Sequence, residues 1–285
     1  MTITICVCGA GTMGSGIAQV AAQSGFNTVL FDVNKLMLDR AKVSIEKNLE
    51  YLVNKKEISS SEKREIYKRI RFTADIKECT GEVIIEAIIE AEEAKVSLFN
   101  ELAKYNNEEV IFATNTSSLS VTSIQEKIIF PQRVVGMYFF NPAYIMKLVE
   151  VVKGRQTNDE MAMTIYDICK QMDKVPVMCK DVPGFIVNRV ARHYYLESLK
   201  IVEDGIASFE DVDSILESSG FKLGPFKLMD LIGMDINLAV SQSMYDAFDK
   251  AERFKPSPLQ IEKVKNGELG KKTGKGFYNY LNQKA

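Results

Sequence analysis

Ile3-Thr-Ile-Cys-Val-Cys-Gly9-Ala10-Gly11-Thr12-Met13-Gly14 is the stretch that decides the fold. Residues 3–8 are mostly apolar and β-favouring, the composition of a buried strand. Gly9-x-Gly11-x-x-Gly14 follows without a gap. A helical pattern with Met13, Ile17, Val20, Ala21 and Ser24 on one face then runs to Gly25, where a helix-ending glycine belongs. Strand, glycine turn and helix form the phosphate-binding corner of a dinucleotide fold. Gly9 allows the tight turn, Gly11 lets the backbone approach a pyrophosphate, and Gly14 lets helix and strand pack closely. The helix N-terminus offers unpaired N–H groups to the phosphates.

Outward from the corner, Thr28-Val-Leu-Phe31 reads as a second strand ending in Asp32, about 20 residues beyond the glycines. A carboxylate there accepts hydrogen bonds from ribose hydroxyls and repels a 2′-phosphate, so the expected cofactor is NAD rather than NADP. Further strands are expected at 71–74, 83–89, 110–113, 133–140, 147–152 and 175–178, with helices near 92–104 and 158–171 between them. Such alternation predicts right-handed crossovers in a doubly wound, mostly parallel α/β sheet of the Rossmann type. Residues 35–70 interrupt it as a helical hairpin carrying 10 Lys/Arg against 6 Asp/Glu. That excess suits an anionic ligand, and equally a solvated surface.

Asp181-Val-Pro183-Gly184 breaks both helix and strand, and marks a boundary. Residues 1–183 are expected to form the NAD-binding domain. Residues 184–285, helical at 185–203, 208–218, 227–249 and 257–266, are expected to form an all-α substrate and dimerisation domain. A chain of 285 residues is long enough for both cores. Its net charge of −2 speaks against nucleic-acid binding. Five cysteines without CxxC spacing suggest reduced thiols, with Cys6 and Cys8 sharing one strand face as core. No cluster has zinc spacing, so no metal is expected. The absence of a signal peptide or a run of ~18 apolar residues predicts a soluble cytoplasmic protein with no membrane partner. Asn115-Thr-Ser-Ser118 follows the 110–113 strand, at the sheet edge where open α/β folds bind ligands. Ser120 is placed to cap the next helix, leaving Ser117 for substrate or nicotinamide.

With these blocks in place the chain resembles the short-chain L-3-hydroxyacyl-CoA dehydrogenases, and the bacterial 3-hydroxybutyryl-CoA dehydrogenases in particular. The resemblance rests on Gly9–Gly14, Asn115-Thr-Ser-Ser-Leu119, Phe139-Phe-Asn-Pro142 and Met146-Lys-Leu-Val-Glu-Val-Val152. It continues through Asp181-x-Pro-Gly-Phe-Ile-Val-Asn-Arg189, Gly224-Pro-Phe226 and Lys271-Lys-Thr-Gly-Lys-Gly-Phe-Tyr278. It implies interconversion of short 3-hydroxyacyl-CoA and 3-ketoacyl-CoA with NAD(H), and the apolar helices of the second domain are expected to join a homodimer, the commonest oligomer being two-fold. Carried over by position, it implies that the Gly9–Gly14 loop (with Ala10, Thr12 and Met13), Asp32, Glu90, Lys95, Asn115, Asn141 and Lys272 line the NAD site. Ser117 would touch both nicotinamide and substrate, Asn188 would hold the substrate, and Asn48 and Lys55 would contact coenzyme A.

In the family a histidine general base is oriented by a glutamate twelve residues later. Glu150 matches the glutamate, but Tyr138 stands where the histidine belongs. A free imidazole titrates near 6.5 and a phenol near 10, so a neutral phenol is a poor base for a hydroxyl proton. Loss of a general base typically costs ~10²–10⁴ in rate. Reduction suffers less, because a neutral phenol can still donate a hydrogen bond to a 3-keto oxygen. His193, the lone histidine, lies five residues past Asn188 and so roughly 140° around the same helix, facing elsewhere. The expected function is therefore an impaired or reduction-biased dehydrogenase. The alternatives are a non-catalytic NAD- and acyl-CoA-binding protein, or a related hydroxyacid dehydrogenase acting on a non-CoA substrate.

Overall fold

The computed structural model describes residues 3–281, so positions 1–2 and 282–285 of the two expected domains lie outside the described residues. The chain divides into two compact units after Val182. In the first unit the order is β1 (Thr4–Cys8), α1 (Thr12–Gln23), β2 (Asn27–Phe31), α2 (Lys35–Asn54), α3 (Ser60–Lys68), β3 (Ile70–Thr73), β4 (Val83–Glu86), α4 (Glu92–Leu102) and β5 (Ile111–Thr114). It continues with α5 (Val121–Gln125), β6 (Val134–Phe139), β7 (Leu148–Lys153), α6 (Asp159–Gln171) and β8 (Val175–Lys180). The eight strands form one sheet in the order β3-β2-β1-β4-β5-β6-β7-β8. Only β6 and β7, joined by a loop too short for a crossover, run antiparallel.

The sheet reverses its winding at β1, and the glycine corner opens at that reversal, where doubly wound folds take their ligands. Ile5 and Val7 of β1 pack with Ile17, Ala18 and Ala21 of α1 in the main core. Cys6 and Cys8, alternating with them, face the other side of the sheet and are fully buried. Asn34 caps α2 by accepting from Leu36 N–H, and Ser59 with Glu62 forms a capping box on α3, which fixes the start of each helix of the basic hairpin.

Two expectations are corrected. The strand expected at 83–89 stops at Glu86, because the Glu86 carboxylate turns back to accept the Ile88 N–H at 2.8 Å and sends the chain into a loop. The helix expected at 227–249 is two helices, α9 (Pro225–Ile232) and α10 (Met234–Ala247). They part at Gly233, whose φ of +106° suits glycine alone.

The second unit also holds α7 (Val187–Glu203), α8 (Phe209–Ser218) and α11 (Pro258–Lys265). Two fully buried carboxylates organise it. Asp213 accepts the Phe226 and Lys227 N–H groups at the start of α9, together with the Tyr278 hydroxyl at 2.7 Å. Asp230 accepts the Phe277 and Tyr278 N–H groups, each at 2.9 Å. A Cβ on Gly224 would sit 2.2 Å from Asp213 Oδ1, and one on Gly276 would sit 2.0 Å from Asp230 Oδ1. The Gly224-Pro-Phe226 and Gly276-Phe-Tyr278 blocks are thus explained by packing around these two acids.

Candidate active site

The glycine corner divides into two structural positions and one open one. A Cβ on Gly14 would stand 1.7 Å from the Gly9 carbonyl oxygen, and one on Gly9 would stand 2.5 Å from the Ala87 oxygen. Gly11 has nothing within 4 Å of its Cβ position and an ordinary φ of −72°. That space lies in front of the α1 N-terminus, where a pyrophosphate would sit, so the residues present fit a dinucleotide. Gly11→Ala is expected to leave the melting temperature unchanged while weakening NADH binding by at least about tenfold, roughly 1.4 kcal/mol. Gly14→Ala should lower the melting temperature itself. Thermal scans with and without NADH separate the two.

Asp32 follows β2 and is held in place before any ribose arrives. One carboxylate oxygen accepts the Ala10 N–H and the other accepts the Asn34 N–H, both at 2.8 Å. Each oxygen keeps a lone pair for a ribose hydroxyl.

Across the sheet, Glu86, Lys95 and Glu90 form a layered charge cluster. Glu86 and Lys95 are both 0% exposed, with Lys95 Nζ 2.7 Å from Glu86 Oε1 and 3.2 Å from Glu90 Oε2. Glu86 Oε2 accepts the Thr114 hydroxyl at 2.8 Å. Glu90 reaches forward to accept from the Thr116 and Ser118 hydroxyls and from the Ser117 N–H. Burial pushes the Glu90 carboxyl up, but Lys95, Thr116 and Ser118 outweigh it and hold it below the usual carboxylate range. Lys95, expected against the cofactor, is instead enclosed behind Glu90. It sets the position of Glu90 and of the 116–118 loop.

Ser120 caps α5 by accepting the Ser123 N–H, as its position in the sequence suggested. The Ser117 hydroxyl makes no hydrogen bond among the described residues. Asn115 Oδ1 accepts the Phe139 N–H at 2.9 Å, so the loop is tied to β6 one residue from Tyr138. Tyr138 is half-buried, with its ring 4.6 Å from that of Phe140. In the β6–β7 register it lies directly opposite Glu150, which is 1% exposed. Side chains so placed stand about 5 Å apart at Cβ. Burial, with the Glu150 and Asp181 carboxylates, pushes the Cys179 thiol on neighbouring β8 up to about 12.

A cavity of about 380 Å³ links the glycine corner to α2 and to Asn141. Asn48 lines it and donates its amide to Gln19 Oε1 at 3.1 Å. The Asn141 loop is pinned from behind by the buried Lys174, whose Nζ donates to the Ala143 and Met146 carbonyls. Arg40 and Ser44 line the same cavity and were missed in the sequence. Their signal was the Arg40-Ser44-Asn48 spacing, one stripe along a helix. Lys55 is not part of the lining; it is exposed at the α2 C-cap, about two turns beyond Asn48. Glu86 was also missed, although a lone charge inside the apolar run 83–89 pointed to it.

In the second unit, Asn188 is half-buried in the first turn of α7. His193 is exposed on that helix, against Phe254 at 5.2 Å between ring centroids. Lys272 pairs with Asp235 at 2.5 Å across the α9–α10 break.

Residues 4–182 match the family model described as "3-hydroxyacyl-CoA dehydrogenase, NAD binding domain", and residues 184–280 match its "C-terminal domain". The chain is 42% identical to the 3-hydroxyadipyl-CoA dehydrogenase of Escherichia coli over 97% of its own length, and spans 59% of that protein. It is 38% identical to a probable 3-hydroxybutyryl-CoA dehydrogenase of Deinococcus radiodurans, covering 96% of this chain and 99% of the relative. Among solved structures, the (S)-3-hydroxybutyryl-CoA dehydrogenase of Ralstonia eutropha superposes with a TM-score of 0.94 at 34% identity, over 98% of this chain and 99% of the other. The chain belongs to the 3-hydroxyacyl-CoA dehydrogenase family.

Proposed function

We propose that this protein interconverts short 3-hydroxyacyl-CoA and 3-ketoacyl-CoA with NAD(H), and that Tyr138 biases it toward reduction. The observation that carries the reading is Tyr138, on the strand to which the Ser117 loop is tied, facing buried Glu150 of β7. Bound NADH supplies hydride. Asp32 receives the ribose hydroxyls, and Glu90 with Ser117 frames the nicotinamide. The Tyr138 Oη–H donates to the 3-keto oxygen as negative charge grows there, and Glu150 fixes the phenol or a water beside it. In oxidation the side chain must start as phenolate to take the hydroxyl proton, and an ordinary phenol is scarcely ionised at neutral pH. Asn188 holds the acyl group, Lys272 reaches the cofactor, and Asn48 and Lys55 meet coenzyme A on the basic hairpin.

The reading includes a homodimer through the second unit, supported by exposed Ile215, Phe221, Leu231 and Ile236. It also includes a cytoplasmic location, which five free cysteines support. Among the described residues no helix is long and apolar enough to cross a membrane.

The test is NADH oxidation dependent on acetoacetyl-CoA, run beside equilibrium binding of both ligands. Turnover with a reduction rate well above the oxidation rate is expected. Binding of both ligands without turnover makes the protein a non-catalytic NAD- and acyl-CoA-binding member. Failure of acyl-CoA to bind or react points to a non-CoA hydroxyacid.

A further inference from the structure

Cys6 and Cys8 acquire a third partner through the fold. Cys79 lies in the loop between β3 and β4, 71 residues beyond Cys8, yet the three Sγ atoms all stand within 4.8 Å of one another. All three residues are 0% exposed. Cys6 Sγ and Cys8 Sγ are 3.9 Å apart. Sulfurs bound at about 2.3 Å to one ion stand about 4.0 Å apart in a trigonal plane and about 3.8 Å apart in a tetrahedron. A disulfide needs about 2.05 Å, and residues two apart on an extended strand, about 6.6 Å between Cα atoms, lie at the limit of its reach. The Cys6–Cys8 spacing matches that of two ligands on one ion, and the Cys79 sulfur stands within 4.8 Å of both.

We propose that Cys6, Cys8 and Cys79 form a three-thiolate site for a soft monovalent cation, Cu(I), in trigonal coordination behind the glycine corner. Buried thiolates select soft ions. Among the described residues no other histidine, cysteine or carboxylate joins the cluster, so it lacks the fourth ligand that a structural zinc requires. The Cys79 thiol gives up its proton to solvent as its sulfur binds the ion. Cys6 and Cys8 release their protons to solvent as their sulfurs join. The Arg71 guanidinium, already ion-paired with Glu78 Oε2 at 3.0 Å, offsets part of the added negative charge. It lies on the same sheet face in the Cys6, Val29, Arg71 register and donates to the Glu78 carbonyl at 2.8 Å, next to Cys79. Entry runs through the Cys79 loop, where Glu78 and Thr80 on either side are exposed.

The site couples to the cofactor corner through one peptide bond. Cys8 is followed by Gly9, whose N–H donates to the Phe31 carbonyl at 2.8 Å beside Asp32. An ion that draws Cys8 toward Cys79 shifts this corner, so copper should weaken NADH binding by about 5–150-fold, the usual range of coupling between sites.

The full chain, reduced and anaerobic, is titrated with Cu(I) against a colorimetric Cu(I) chelator, and X-ray absorption is recorded on the product. One ion per chain with three sulfur neighbours is expected, together with weaker NADH binding. Cys79→Ser and Cys8→Ala should each lose the ion, and Cys169→Ser with Cys179→Ser should keep it. The proposal is overturned if the wild-type chain takes no copper from the chelator. Fewer than three sulfur neighbours, or copper retained by Cys79→Ser, also overturns it. A Cys79 disulfide formed under mild oxidant in a chain that takes up no copper would assign the cluster to redox chemistry instead.

Discussion

Tyr138→His is expected to raise kcat/KM of the acetoacetyl-CoA reaction by about 10²–10⁴-fold and, because the equilibrium constant is fixed, that of the reverse reaction by the same factor, with any asymmetry confined to kcat at saturating substrate. Residue 138 faces buried Glu150 across an antiparallel pair, which is the relation an imidazole needs in order to be oriented by a carboxylate. An imidazole titrating near 6.5 accepts a proton from the 3-hydroxyl at neutral pH and returns it in reduction, whereas a phenol near 10 performs only the second half well. The substitution also removes a ring contact with Phe140, worth about 0.5–1.5 kcal/mol, so a small loss of stability should accompany the gain in rate. Initial rates in both directions, at low and at saturating substrate, check both points. Tyr138→Phe is the control, since it should abolish the residual reduction if the phenol donates to the keto oxygen. A histidine variant that binds NADH and acetoacetyl-CoA but turns over no faster would sink the catalytic reading of this pair.

The sequence disclosed the parts of the fold that depend on local chemistry. The glycine corner, the Asp32 terminus of β2 and the Ser120 cap follow from backbone needs that glycines, acids and hydroxyls announce at fixed spacing. The Tyr138–Glu150 pair was legible only as a resemblance, because register between two strands is not written in either one. Three features escaped, the first two for the same reason. Glu86 looked like part of an apolar strand, since its partners Lys95 and Thr114 come from other elements. Cys6 and Cys8 looked like plain core until the chain returned with Cys79. The 227–249 helix looked continuous, because one glycine in a helical pattern discloses a break only when its φ is seen.

Lys95→Met should destabilise the protein by about 3–5 kcal/mol, the usual cost of leaving a buried charge without its partner. The expectation follows from Lys95 being enclosed with Glu86 and ion-paired to two carboxylates at once. Its pH dependence separates this origin from a mere packing defect, because a methionine fills nearly the same space. In the wild type, Glu90 is held below the usual carboxylate range, so its contribution is present at neutral pH and is lost as pH falls through its folded value. In the variant, Glu86 is buried with no cation, and its folded pKa rises above the unfolded one. It then takes up a proton first in the folded state, and stability should rise as pH falls through the carboxylate range. The gap between the two proteins in urea unfolding should therefore be widest near pH 7 and narrow toward pH 5. Adding Glu86→Gln to Lys95→Met should recover part of the loss at pH 7, because a neutral amide still accepts the Ile88 N–H and the Thr114 hydroxyl can turn to accept from it. A gap independent of pH, or a double variant no more stable than the single one, would mean that Lys95 acts by shape and that the charge layer behind Glu90 is incidental.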